Sequence, residues 1–174
     1  MKRLIVAVPL TLTAALLAVP AAHADDRRCS GTIRAASIDG NVVVPSGRTC
    51  TLIGTRVDDN VHVEENATLL ARGVRVGGNI QAENHDRVVV RHRKVDGRAV
   101  RSRIGGSIQL EQGGGGKLLR NTVNGDIQLF SNDGRFQVHR NRVDGNLQCK
   151  SNRPAPVGGG NVVEGNKEDQ CRRL

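Results

Sequence analysis

"IGGSIQL" (residues 104–110) is followed by "VNGDIQL" (123–129) and "VDGNLQC" (143–149), and this recurrence decides the fold. Running the phrase backwards finds "IDGNVVV" (38–44), "VDDNVHV" (57–63) and "VGGNIQA" (76–82), and running it forwards finds a degenerate "VEGNKED" (163–169). The first positions, Ile38, Val57, Val76, Ile104, Val123, Val143 and Val163, are spaced 19, 19, 28, 19, 20 and 20 residues apart. A fixed period of this size marks stacked supersecondary units, each of which buries its apolar face only against its neighbours.

Within each phrase the apolar residues alternate, as in Val61 and Val63 around His62 or Ile127 and Leu129 around Gln128. Period two means strand. A second alternating patch follows in most units: Cys50 and Leu52, Leu69 and Ala71, Val88 and Val90, Phe136 and Val138. Between strands the centre of the phrase is Gly-Asn, Gly-Ser, Gly-Asp or Asp-Asn, residue types that tolerate the left-handed backbone of a sharp corner. Asn41, Asn60, Asn79, Ser107, Asp126, Asn146 and Asn166 fall in one column of this pattern, a polar ladder that bonds to its neighbours' amides or to the turn backbone.

Short strands, corners and one unit per nineteen or twenty residues predict an all-β chain, a single-stranded parallel β-helix of about six to seven coils. Six-residue left-handed repeats would set a period of about 18, which this chain does not keep, so a right-handed helix is expected. Helical solenoids are excluded by the glycine content and by the lack of a 3.6-residue period after the first residues.

Those first residues carry Lys2 and Arg3, a mostly apolar run and the ending Ala22-His23-Ala24. This is the pattern of a secretory signal peptide cleaved after Ala24. The expected organisation is thus a signal peptide over 1–24 and one β-helix domain over 25–174, with a basic insertion near 87–103. No later apolar run reaches the ~18 residues a membrane span needs. The four cysteines that remain read as two disulfides of an oxidising compartment. Three pairings are open, and the spacing favours Cys29–Cys50 and Cys149–Cys171, each spanning about one coil and pinning one end of the solenoid.

Without Lys2 and Arg3 the balance is 24 Lys and Arg against 17 Asp and Glu. Such a surface favours anionic partners. With no Trp, no Tyr and only Phe130 and Phe136, the chain lacks the aromatic faces on which sugars and single-stranded bases stack. Carbohydrate-binding modules and base-stacking readers lose weight accordingly.

The "RTCTLIGTRV" opening, the "GNIQAEN" coil and the "GNLQCKSN" run leading to "GNKEDQC" resemble small secreted proteins of high-GC Gram-positive bacteria of the Streptomyces kind, over about residues 29–171. The resemblance implies an exported β-helix and no particular activity. More distantly the repeat is similar to the bactofilins, whose right-handed β-helices polymerise end to end. That likeness implies architecture alone, because bactofilins are cytoskeletal and lack export signals and cysteine caps.

The excess of the 28-residue interval falls in "RVVVRHRKVDGRAVRSRIGG", where Arg87, Arg91, Arg93, Lys94, Arg98, Arg101 and Arg103 crowd together. An arginine-rich bulge on a β-helix flank is suited to bidentate grip of phosphate or carboxylate; a solvated charged loop is the bland reading. Gln81, Gln109, Gln128 and Gln148 form an outward column, a second candidate binding face. His62, His85, His92 and His139 are scattered, so no metal site and no cofactor is expected. Asp39, Asp58, Asp59, Asp96, Asp126 and Asp144 are the carboxylates available to a polysaccharide hydrolase, which needs two of them flanking the bond. The expected function is non-catalytic: an exported, wall-associated protein that binds an anionic cell-wall polymer or polysaccharide, or associates with itself or a partner. A small polysaccharide lyase or hydrolase is the alternative, and nucleic acid is a poor partner for an exported chain without a reading motif.

Overall fold

A computed structural model describes residues 26–174; the expected signal peptide lies outside the described residues. The described chain is all β, a parallel solenoid with three faces. The first face holds eight strands, from Arg27–Arg28 and Val42–Val44 through Ile80–Glu83 and Ile108–Glu111 to Lys167–Asp169. The second and third hold seven each. The second runs from Thr32–Arg34 through Thr68–Arg72, Arg87–Arg91 and Gly115–Leu119 to Val157–Gly159, and the third from Ser37–Ile38 through Arg75–Val76 and Arg103–Ile104 to Val162–Val163. The chain therefore completes seven coils and closes on an eighth strand, slightly beyond the expected count.

Every strand pairs with its equivalent one coil away, in register: Val61 with Ile80, Ile80 with Ile108, Ile108 with Ile127, and Ile127 with Leu147. Because side chains alternate sides along a strand, one apolar position in register puts a whole column inside. Ile80, Ile108, Ile127 and Leu147 are all fully buried, as are Val88, Leu118 and Val138 on the second face. The disulfides are Cys29–Cys50 and Cys149–Cys171, with Cα atoms 5.4 and 5.2 Å apart. They tie neighbouring coils at the two ends, where open strand edges need protection, and they belong to an oxidising compartment.

The polar ladder is built as expected. Asn60 N–H donates to Asn41 Oδ1 (3.0 Å), Asn79 N–H to Asn60 Oδ1 (2.8 Å), Ser107 N–H to Asn79 Oδ1 (2.7 Å), and so on to Asn166. The reason for the glycine that precedes most ladder residues differs from the expected one. These glycines are not in the left-handed region; a Cβ on Gly78, Gly106 or Gly125 would lie 2.3, 2.2 or 2.4 Å from the ladder oxygen of the coil below. The left-handed corners sit elsewhere. After the first face they are Gly47, Asn66, Asn84, Gln112, Ser131 and Ser151; after the second, Ala35, Gly54, Gly73, Arg120, Arg140 and Gly160.

"GGGG" (113–116) is a tightly packed rung, with Gly115 and Gly116 inside a strand. Here Gly116 takes the inward position between Val88 and Phe136, and the space it leaves holds the Phe136 ring, the largest fully buried side chain. Edge-on to that ring, with centroids 6.2 Å apart, lies His85, which is 2% exposed. A Cβ on Gly113 would fall 2.3 Å from His85 Nδ1. Neither ring nitrogen has a hydrogen-bond partner. Burial pushes the His85 pKa down to about 4, against weaker opposing pulls from the Ala82 backbone and the Asp86 carboxylate.

Between pH 6.5 and about 4 the unfolded chain therefore binds a proton at His85 that the folded chain does not. Stability is fully present above the unfolded value and falls with pH through that window, by about 3 kcal/mol. Denaturation of wild type and His85→Leu at pH 7 and pH 4 checks this. The wild type should lose about that much more than the variant, and parallel losses would acquit His85.

Candidate functional site

The 28-residue coil departs from the repeat only between His92 and Ser102. Arg91 is paired with Arg72 and Arg103 with Arg75, as an uninterrupted corner would place them. Between these points a two-stranded antiparallel hairpin pairs Arg93 with Val100, Lys94 with Ala99 and Val95 with Arg98. Its turn residues Asp96 and Gly97 have φ of 49° and 76°, the pair of positive values that a tight hairpin turn matched to strand twist requires. The basic insertion is thus an ordered hairpin, and Asp-Gly between Val95 and Arg98 is the signal that identifies it.

The hairpin does not gather all seven candidate cations. Arg93, Lys94 and Arg98 are on it, Arg91 and Arg103 on the rungs it leaves and rejoins, and Arg101 at its root. The half-buried Arg101 is spent on structure: Nη1 donates to the carbonyls of Asn121 (3.1 Å) and Arg140 (2.9 Å). Arg87 stands at the opposite edge of the second face, in a separate notch of about 390 Å³ over Gly115 and Gly116, with Asp86, Lys117, Arg135 and Gln137.

Register brings other arginines to the hairpin's corner. On the last outward position of the second face, Arg34, Ile53, Arg72 and Arg91 follow one another. Across the corner, on the outward position of the third face, Arg56, Arg75 and Arg103 occupy consecutive rungs, and Thr122 and Arg142 continue the column. Rungs are ~4.8 Å apart. Among the described residues the single ion pair is Arg56–Asp58, at 2.6 Å, so this double row is almost wholly unneutralised. Sequence reading missed Arg34, Arg56, Arg72, Arg75 and Arg142. A signal was present, since Arg56, Arg75, Arg103 and Arg142 each stand directly before the first apolar position of a repeat phrase.

Arg34, Ile53, Arg72, Arg91, His92, Arg93 and Lys94 line a cleft of about 450 Å³ between the hairpin and the second face. No carboxylate is among them. The His92 pKa is lowered, first by burial and next by the charge of Arg120.

The glutamine column exists and is hydrogen-bonded along its length. Nε2 of Gln81 donates to Oε1 of Gln109, Gln109 to Gln128 and Gln128 to Gln148, each at 2.9 Å, and Gln148 donates to Glu168 Oε2 at 2.8 Å. Each of these amides thus spends an N–H along the column, and Gln109, Gln128 and Gln148 also accept there with their carbonyls. Beside it Glu64, Glu83 and Glu111 join His62, Gln81 and Gln109 around an acidic groove of about 360 Å³.

Of the carboxylates weighed for hydrolysis, Asp39 and Asp58 follow the paired residues Ile38 and Val57 and so share one column on adjacent coils. Asp58 pairs with Arg56, Asp96 turns the hairpin, and Asp126 Oδ1 is a rung of the polar ladder, accepting from Asn146 N–H. No protein-family model matches this chain, and no curated protein or solved structure is significantly similar to it.

Proposed function

We propose that this protein is an exported, non-catalytic β-helix that works at the cell envelope by binding an anionic polymer along its arginine-lined corner. The observation that carries this reading is the register of Arg56, Arg75 and Arg103, one per rung, beside Arg72 and Arg91. Like charges held in a row at this spacing repel one another. A polyanion laid along the solenoid axis would relieve the repulsion at each rung. Guanidinium groups suit this task because they stay charged and take carboxylate or phosphate oxygens two at a time. The ligand would be read by its charge, since the chain has almost no aromatic surface on which rings could stack.

The leader pattern of residues 1–24, the two disulfides and the resemblance to secreted actinobacterial proteins support export. The glutamine amides are engaged with one another, so the reading assigns binding to the arginine corner and leaves the ladder to hold the coils together. Co-sedimentation of the purified protein with cell walls tests it. Binding should weaken steeply with added salt, and Arg56→Gln/Arg75→Gln/Arg103→Gln should lower affinity about 100-fold, at about 1 kcal/mol for each exposed contact. Binding indifferent to both salt and these substitutions overturns the reading, as does release of soluble sugar by the wild type.

A further inference from the structure

We infer that the cleft between the hairpin and the second face is a site for one phosphate monoester group, held by Arg34, Arg72, Arg91 and Arg93. The inference rests on the corner being an anion-binding surface, but it asks for a discrete group in a formed pocket, which the arginine column does not.

The pocket is prepared for Arg93 in particular. That side chain runs back from the hairpin across the two preceding corners, and a Cβ on Gly73 would lie 2.7 Å from its Cβ, while one on Gly54 would lie 2.6 Å from its Nη1. It fits because both corners are glycine, where the equivalent corners of other coils carry Ala35, Arg120, Arg140 and Gly160. A guanidinium laid against these corners has less freedom to lose when a ligand arrives. The Nε atoms of Arg72 and Arg93 and Nδ1 of His92 are shut away from water without hydrogen-bond partners, and no acid lines the cleft. The fold thus bears the cost of partly dehydrated, unpaired cations, which an anion in the cleft would offset.

The type of anion follows from the count of charges. A carboxylate brings one negative charge and two oxygens in a plane. A phosphate monoester brings about −1.5 to −2 and three acceptor oxygens, the better match for a cleft lined by four arginines from three coils and the hairpin. Its source is either a phosphorylated end or branch of a polymer, or a free small phosphate ester.

Thermal unfolding of the disulfide-bonded protein, at constant ionic strength, tests the assignment. Inorganic phosphate and glycerol phosphate should each raise Tm by about 5 °C near saturation, and acetate and a phosphodiester should raise it far less. Arg93→Met should lose most of that rise. So should Gly54→Ala, which keeps every charge but puts a methyl where the guanidinium lies, at a corner that accepts alanine in the first coil, where Ala35 has φ 46°. An acetate rise equal to that of phosphate, or a phosphate rise undiminished in Arg93→Met, overturns the inference.

The two readings fail separately. Wall binding without a phosphate rise sinks the pocket and leaves the polymer surface standing; a phosphate rise without wall binding does the reverse. Competition by glycerol phosphate against walls points to a polymer-borne phosphate, and a phosphate rise without such competition points to a free ester. Either one upholds the pocket.

Discussion

Gly116→Ala is expected to abolish cooperative folding or to lower stability by at least about 3 kcal/mol, the upper range for overpacking a core. Its Cβ would lie 2.0 Å from the Val88 carbonyl oxygen and 2.8 Å from the Phe136 ring. The carbonyl belongs to the neighbouring coil's backbone and is fixed by the ladder of strand hydrogen bonds. The ring cannot retreat, because it is fully buried with His85 at its edge. Denaturant unfolding followed by circular dichroism measures the loss. The contrasting substitution is Gly47→Asn. Gly47 has φ +67° and nothing within 4 Å of its absent Cβ, and Asn66 fills the equivalent corner one coil on. That change should cost under about 1 kcal/mol. Equal losses at the two positions would show that crowding at Gly116 is not what its glycine serves.

Asn141→Leu should cost roughly 4 kcal/mol, for a different reason. Inside the corner between the second and third faces, Asn121, Asn141 and Asn161 stack as a buried column. Asn141 Oδ1 accepts from Asn121 N–H at 3.0 Å, and Asn141 Nδ2 donates to the Leu118 carbonyl at 2.8 Å. Leucine keeps the volume and removes both partners, leaving one buried donor and one buried acceptor unpaired, at about 1–3 kcal/mol each. Hydrogen exchange should place the loss in the coils around residues 118–161, since coils of a solenoid contact only their neighbours. Asn124→Ala, at an exposed position, should stay within about 0.5 kcal/mol of wild type. A loss at Asn141 no larger than that would refute the column's part in stability.

The coils were legible because a strand period of two and a coil period of nineteen or twenty residues are both printed in the chain. Once Val57, Val76 and Ile104 are aligned, the inward columns follow. The buried column Asn121–Asn141–Asn161 and the packing of residues 113–116 were not legible. Each depends on which atom of a neighbouring coil stands where a Cβ would go, and residue types alone do not report that distance. The arginine corner was half visible. A local crowd at 87–103 stands out, but Arg34, Arg72 and Arg75 reach it only through pairing across 19 to 28 residues. The same pairing sends Arg87 away and consumes Arg101 on two carbonyls.

The hairpin also has a bearing on how such a protein changes. Deletion of one residue from a rung would turn every following side chain of that strand to the other side, so the rungs tolerate no change of length and the corners must absorb it. At His92 the path leaves the solenoid and at Ser102 it returns in frame, with Arg103 opposite Arg75. The 28-residue coil is a 19-residue coil carrying a nine-residue cassette. That corner is an open port, where recognition segments can be exchanged by descent or by design while the rod beneath keeps its length and pitch.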